Sequence, residues 1–151
     1  MTSNFINFLG DEYPITSDAR GLAGLTSSHR ISGIKHCSSD SKIVGLQISY
    51  SVYDDQGQKT NTRDLPAHGT LSDAFLTCDT LDVPKGWSVQ GAIVSFSRST
   101  VKTVTVALSD YEDPPNRSFT PLGPEPGSQD TGVLRFETGG SQFDHFFGLA
   151  S

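Results

Sequence analysis

Five apolar side chains, Val44, Leu46, Ile48, Tyr50 and Val52, recur at a strict spacing of two, and between them stand Gly45, Gln47, Ser49 and Ser51. In an extended chain successive side chains point to opposite faces, so such a run buries one face and leaves the other to water. It predicts a half-buried β-strand. Ile31, Ile34 and Ile43 lead into it, and Asp54-Asp55-Gln56-Gly57 ends it as a turn, using Asx side chains and a permissive glycine.

The same reading extends along the chain. Residues 75–83 form a predicted strand closed by Pro84-Lys85-Gly86. Residues 87–96 form another, with Trp87 and Val89 on one face before Gly91 disturbs the alternation. Val101, Val104, Val106 and Leu108 mark a third, rich in the β-branched residues that suit a pleated surface. Residues 110–115 are a breaker-rich turn, 118–122 pair briefly, and 123–132 are a Pro/Gly loop. Residues 59–73, with Pro66 and Gly69, read as a polar loop. Residues 1–28, interrupted by Gly10, Pro14, Gly21 and Gly24, read as an N-terminal arm carrying the first strand near residues 5–9; residues 29–151 supply the remainder of a single domain. No segment sustains a 3.6-residue period over three turns. The total is about ten to twelve short strands, the pattern of an all-β sandwich, barrel or prism. A hydrophobic content of 34%, with abundant Ser, Thr and Gly, agrees.

Several functions are disfavoured by what the chain lacks. Its formal net charge is −6 and it has no Lys/Arg cluster, which argues against nucleic acid or an anionic membrane as partner. No apolar run approaches the roughly 20 residues that span a bilayer. Met1 to Gly10 has neither the basic region nor the apolar core of a signal peptide, so a cytoplasmic or other intracellular location is expected, with a secreted or granule location as the alternative. Cys37 and Cys78 are too few for a disulfide framework and fit no zinc spacing; they are expected to be half-buried thiols in a reducing compartment rather than a bridge. Asn116-Arg117-Ser118 has the form of a glycosylation sequon, which matters only in a secreted chain.

Catalytic signatures are likewise missing: there is no nucleophile elbow, no phosphate loop and no His-Glu-x-x-His pair. His36 and Cys37 are adjacent, so on a strand they face opposite ways and suit no common metal. Asp54-Asp55 and Glu112-Asp113 are paired carboxylates in predicted turns, where solvated acids are the ordinary outcome. No cofactor and no enzymatic activity are expected.

The stretch that invites a ligand is C-terminal. Val133-Leu134-Arg135-Phe136 reads as a strand, Gly139-Gly140-Ser141-Gln142-Phe143-Asp144 as a glycine-opened turn, and the residues that follow as a second strand. Such a turn can aim consecutive backbone N–H groups and one carboxylate into a small volume, which suits a neutral, hydroxyl-rich ligand. The Gly-x-x-x-Asp spacing alone carries little. With 15 glycines and 13 aspartates in 151 residues, roughly one such pair arises by chance, and a second occurs at Gly69–Asp73. Context separates the two: Gly69–Asp73 falls in a polar loop, whereas Gly140–Asp144 falls between apolar and aromatic strands.

Lys42-Ile43-Val44-Gly45-Leu46-Gln47-Ile48-Ser49-Tyr50 resembles the early strand of the jacalin-related lectins, especially their animal secretory-granule branch. Leu81-Asp82-Val83-Pro84 with Val89-Gln90-Gly91, and then Val101 to Val106, are similar to that family's middle section. Val133 to Phe136 followed by Gly140 to Asp144 is similar to its penultimate strand and sugar-binding loop. The pieces stand in the family's order over roughly residues 29–150. The resemblance implies a β-prism of three four-stranded Greek-key sheets. It further implies non-covalent binding of a mannose/glucose-type hexose by Gly140, Ser141, Gln142, Phe143 and Asp144. The mannose-type branch is favoured because the chain shows no internal break and starts with its own methionine. The family's N-terminal closing loop has adjacent glycines, which this chain lacks; Gly10-Asp11-Glu12 or Gly21-Leu22-Ala23-Gly24 would substitute, Gly10 matching better by spacing. The third loop is expected near Phe96-Ser97-Arg98-Ser99, with Arg98 as a candidate sugar contact. Expected partners are glycans or glycoproteins, and a homo-oligomer is compatible with the family. The alternative is a structural or interaction subunit of a larger assembly, in which the prism has no active sugar binding.

Overall fold

A computed structural model describes residues 7–8, 15–17, 25–26, 28–98, 100–125, 132–137 and 147–149. Among these residues there is no helix. Twelve strands follow one another: β1 (Asn7–Phe8), β2 (Ile15–Ser17), β3 (Arg30–Ser38), β4 (Ile43–Tyr53), β5 (Lys59–Asp64), β6 (His68–Gly69), β7 (Thr77–Asp82), β8 (Trp87–Ser97), β9 (Thr100–Asp110), β10 (Arg117–Leu122), β11 (Gly132–Glu137) and β12 (Phe147–Leu149). They form three sheets, ordered β1-β12-β2, β10-β9-β8-β11 and β5-β4-β3-β7, with β6 pairing on β4. The sheets thus hold three, four and five strands among the described residues, where four each were expected.

The predicted strand is β4: Leu46, Ile48 and Tyr50 are buried as the alternation requires, Val44 and Val52 are half-buried, and the intervening Gly45 and Ser51 are buried as well. Their partners in the core come from the other large sheet, chiefly Val89, Val94, Val104, Val106 and Leu122. Fully burying each such side chain stabilises the fold by about 1.5–3 kcal/mol.

β-Bulges interrupt the period of two strands. On β3, Ile31 pairs with Tyr50 and Gly33 with Ser49, so Ser32 is an extra residue. The bulge turns Ile31 and Ile34, three apart in sequence, toward the same core. It also buries Ser32, whose hydroxyl lies 2.7 Å from Ser51 Oγ, which in turn lies 2.7 Å from Thr62 Oγ1. On β8, Val89 pairs with Leu108 and Gly91 with Ala107, leaving Gln90 extra. That is the break in alternation seen at Gly91.

Residues 59–73 are not all loop. β5 and β6 both pair with β4, and every residue of β5 is exposed, so no apolar period announced it. Likewise β11 and β12 do not form a hairpin. β11 pairs with β8 and β12 with β1 and β2, so residues 138–146 connect two different sheets. The N-terminal arm holds two short strands rather than one, both joined to β12.

Cys37 and Cys78 are not free thiols. They are direct register partners on β3 and β7 and are joined by a disulfide. Nothing in the spacing could have announced it, because the pairing of β3 with β7 spans 41 residues of chain.

Beside Cys37 on β3 lies His36, half-buried, with Asp79 opposite on β7 and Leu46 opposite on β4. Its Nδ1 is buried without a hydrogen-bond partner. Burial lowers its pKa below the ordinary 6.5, and the charge of Asp79 offsets this only in part. The unfolded chain therefore binds more protons here than the folded one between the folded pKa and 6.5. The contribution to stability is complete above pH 6.5 and is lost as pH falls through that window. Denaturant midpoints should accordingly drop between pH 7.5 and pH 5, and His36→Gln should flatten that slope. An equal slope in the variant would remove His36 as its cause.

Candidate functional site

The strand directions gather one set of connections at one end of the two larger sheets. At that end β3 begins beside the close of β4, and β7 finishes as β8 starts. Trp87, first in β8, pairs with Asp110, last in β9. β11 runs toward the same end and finishes at Glu137, opposite Gly91. The connection 138–146 therefore departs alongside the first residues of β8. The turns that share this end are 54–58, 83–86 and 111–116.

The first two of these turns are tied to each other, and the third is braced within itself. Asp54 Oδ1 accepts from the backbone N–H groups of Gln56 (2.9 Å) and Gln58 (2.8 Å), closing its own turn. Lys85 Nζ donates to Asp54 O at 2.7 Å, joining the 83–86 turn to the 54–58 turn. Tyr53 Oη donates to the Val83 carbonyl. Burial, and then the nearby charge of Asp82, push the Tyr53 pKa up to about 12, so the phenol remains a donor throughout the physiological range. Lys59 Nζ pairs with the Asp82 carboxylate and donates to Ser32 O at 2.7 Å. In the third turn, Asp110 accepts from Asn116 Nδ2 (2.7 Å), Asn116 N (2.8 Å) and Glu112 N (3.2 Å). The Asn116 side-chain bond is the main reason its carboxyl titrates below the usual range. Asp54 and Asp110 thus serve as turn braces.

The sequence-predicted residues fall differently. Gly140, Ser141, Gln142, Phe143 and Asp144 lie outside the described residues, as does Gly10. Arg98 is described: it is exposed, has φ 57°, and occupies the β8–β9 turn. That turn is at the far end of β8 from Gly91, about 20 Å along the strand at ~3.3 Å per residue. Arg98 and the departure of 138–146 are therefore not brought together. The 83–86 turn is among those that share the Glu137 end, and its Pro84-Lys85-Gly86 had shown only a strand-breaking signal in the sequence.

The small sheet orders the remaining connections. Phe8 pairs with Gly148 and Ile15 with Leu149, so the flanks of 9–14 stand at the outgoing end of β12. Ser17 pairs with Phe147, where 138–146 arrives. The segment leading from β2 toward Gly21 and Gly24 therefore starts at the arriving end. Among the described residues no group of three or more His, Cys, Asp or Glu is arranged to hold a metal ion.

A scan of protein-family models finds no match, and a search of curated proteins finds none either. A solved structure does match: wild-type Malaysian banana lectin, with a TM-score of 0.63 at 14% identity, covering 95% of this chain and 86% of that one. At that identity the likeness is one of fold. The chain is all-β and folds as a β-prism, the architecture it shares with that lectin.

Proposed function

We propose that this chain is a jacalin-like lectin that binds a mannose/glucose-type hexose non-covalently, without chemistry, through residues 140–144. The observation that carries the reading is the position of the connection 138–146. It links the four-stranded sheet to the small sheet, leaves at the end occupied by the braced turns 54–58, 83–86 and 111–116, and contains Gly140–Asp144. In a lectin of this kind the ionised Asp144 accepts hydrogen bonds from two hydroxyls of one hexose, each strengthened by the charge. Backbone N–H groups of Gln142 and Phe143 donate to ring or neighbouring oxygens, and Gly140 permits the close approach. A shallow, wet site of this size binds at about millimolar Kd, or ~4 kcal/mol, and gains avidity only when several copies act together.

The test is retention of the full chain on immobilised mannose-type glycans, in wild type and in Asp144→Ala. The variant is expected to lose retention while keeping its thermal midpoint. Asp73→Ala, at the other Gly-x-x-x-Asp, serves as the control and should still be retained; Asp73 uses its Oδ1 to accept from Phe75 N at 3.0 Å, as a turn residue does. Retention of Asp144→Ala equal to wild type would end the assignment. A wild-type protein silent on a broad glycan array yet recovered in a stable complex would favour the structural-subunit reading.

A further inference from the structure

The disulfide changes the meaning of Asn116-Arg117-Ser118. Bridges such as Cys37–Cys78 form and persist in oxidising compartments and are rare in reducing ones. A chain that matures there meets the machinery that modifies Asn-x-Ser sequons. We propose that Asn116 carries an N-linked oligosaccharide, acquired in an oxidising secretory compartment.

The geometry suits an acceptor. Every residue from Tyr111 to Phe119 is exposed. Arg117 and Ser118 open β10, which among the described residues pairs only with β9 and is the outer strand of its sheet. The middle residue is Arg117, not the proline that would block the sequon. Asn116 Nδ2 has two hydrogens, one donated to Asp110 Oδ2 at 2.7 Å and the other to Glu112 Oε2 at 3.1 Å. The transfer consumes one of them. Nδ2 attacks C1 of an oligosaccharide held on a lipid pyrophosphate and the new N–C1 bond forms. The C1–O bond to the pyrophosphate breaks, the lipid pyrophosphate leaves with the bonding pair, and one Nδ2 proton passes to water. The remaining N–H keeps the shorter bond to Asp110, while the exposed Glu112 carboxylate returns to water. The turn is therefore braced in both forms, with the sugar directed outward from the sheet edge.

The experiment is intact-mass analysis of the full chain purified from the organism that makes it, alkylated without reductant, before and after peptide-N-glycosidase treatment. The expected result is an oxidised Cys37–Cys78 pair and a glycan mass, removed by the enzyme with conversion of Asn116 to aspartate. Ser118→Ala, which spoils the sequon but leaves the Asn116 bonds intact, is expected to lose the glycan and retain the fold. Bare Asn116 in a chain whose cysteines are oxidised would overturn the proposal. So would free thiols at both cysteines with no glycan, or a glycan that persists in Ser118→Ala.

Discussion

Gly45→Ala is expected to cost about 3 kcal/mol, the upper range for an overpacked site, and to lower the thermal midpoint by roughly 6–12 °C in a chain of this size. A Cβ at Gly45 would stand 1.9 Å from Thr70 O, 2.6 Å from Thr70 C and 3.0 Å from Leu71 Cδ2. Two of those three atoms are backbone, so no rotamer change relieves the clash. The 70–71 segment crosses the outer face of β4 here, held by Thr70 N donating to Val44 O at 2.9 Å. The preceding Gly69 has φ +77°, and a Cβ there would meet Val44 O at 2.1 Å. Lifting the segment to admit a methyl group would strain that hydrogen bond and draw Leu71 away from the face it covers. Gly33→Ala is the control: its Cβ would meet nothing nearer than Leu81 O at 3.6 Å, an ordinary contact, so a change within about 1 kcal/mol is expected. Equal midpoints for wild type and Gly45→Ala would show that the segment does not lie on β4 as described.

This glycine also shows how far the sequence could be read. The alternation of Leu46, Ile48 and Tyr50 is a local signal, and it gave β4 directly. Gly45 sat within that run as a bland intervening residue, because its reason lies 25 positions later in Thr70. The same distinction holds elsewhere. β8, β9 and β10 carry their periods or their breakers on themselves and were legible. β5 is an exposed edge strand held by backbone pairing to β4, and its side chains carry no burial signal at all. Ile31 and Ile34 hinted at the core without revealing a strand, since the bulge at Ser32 replaced a spacing of two by three. The expected prism followed from the order of several weak pieces, and the three-sheet topology agrees with it, though with unequal sheets. Of the candidate site, the sequence supplied the Gly140–Asp144 connection. It also supplied Arg98 in the β8–β9 turn, while the strand directions bring the 83–86 turn to the end where β11 finishes. Which turns share an end depends on the parity of strands between them, and β6, a two-residue strand pairing across β4, cannot be counted from composition.

Reduction of the Cys37–Cys78 bridge, or the double replacement Cys37→Ser with Cys78→Ser, is expected to destabilise the protein by roughly 4 kcal/mol, the chain-entropy value for a loop closed across 41 residues. Cys37 is fully buried on the face of β3 beside Gly45, while Cys78 is exposed on the edge strand β7. The bond therefore fastens an edge strand, whose residues bury little of their own surface, to an interior strand of the sheet. Without it β7 keeps its backbone pairing from Gly33–Asp82 to Ser38–Thr77 but loses its one covalent tie to β3. The loss should then be local first. Hydrogen exchange in the reduced protein is expected to rise across β7 and the 70–76 segment before it rises in β8 and β9, whose Val89, Val94, Val104 and Val106 lie in the core. Two readouts separate this from a pair of neighbouring thiols. Intact mass should increase by two hydrogens on reduction, and the thermal midpoint should fall only when reductant is present. If the midpoint is unaffected by reductant and both cysteines alkylate in the unreduced, unfolded chain, the strands are joined by hydrogen bonds alone, and the oxidising compartment inferred from the bridge loses its support with them.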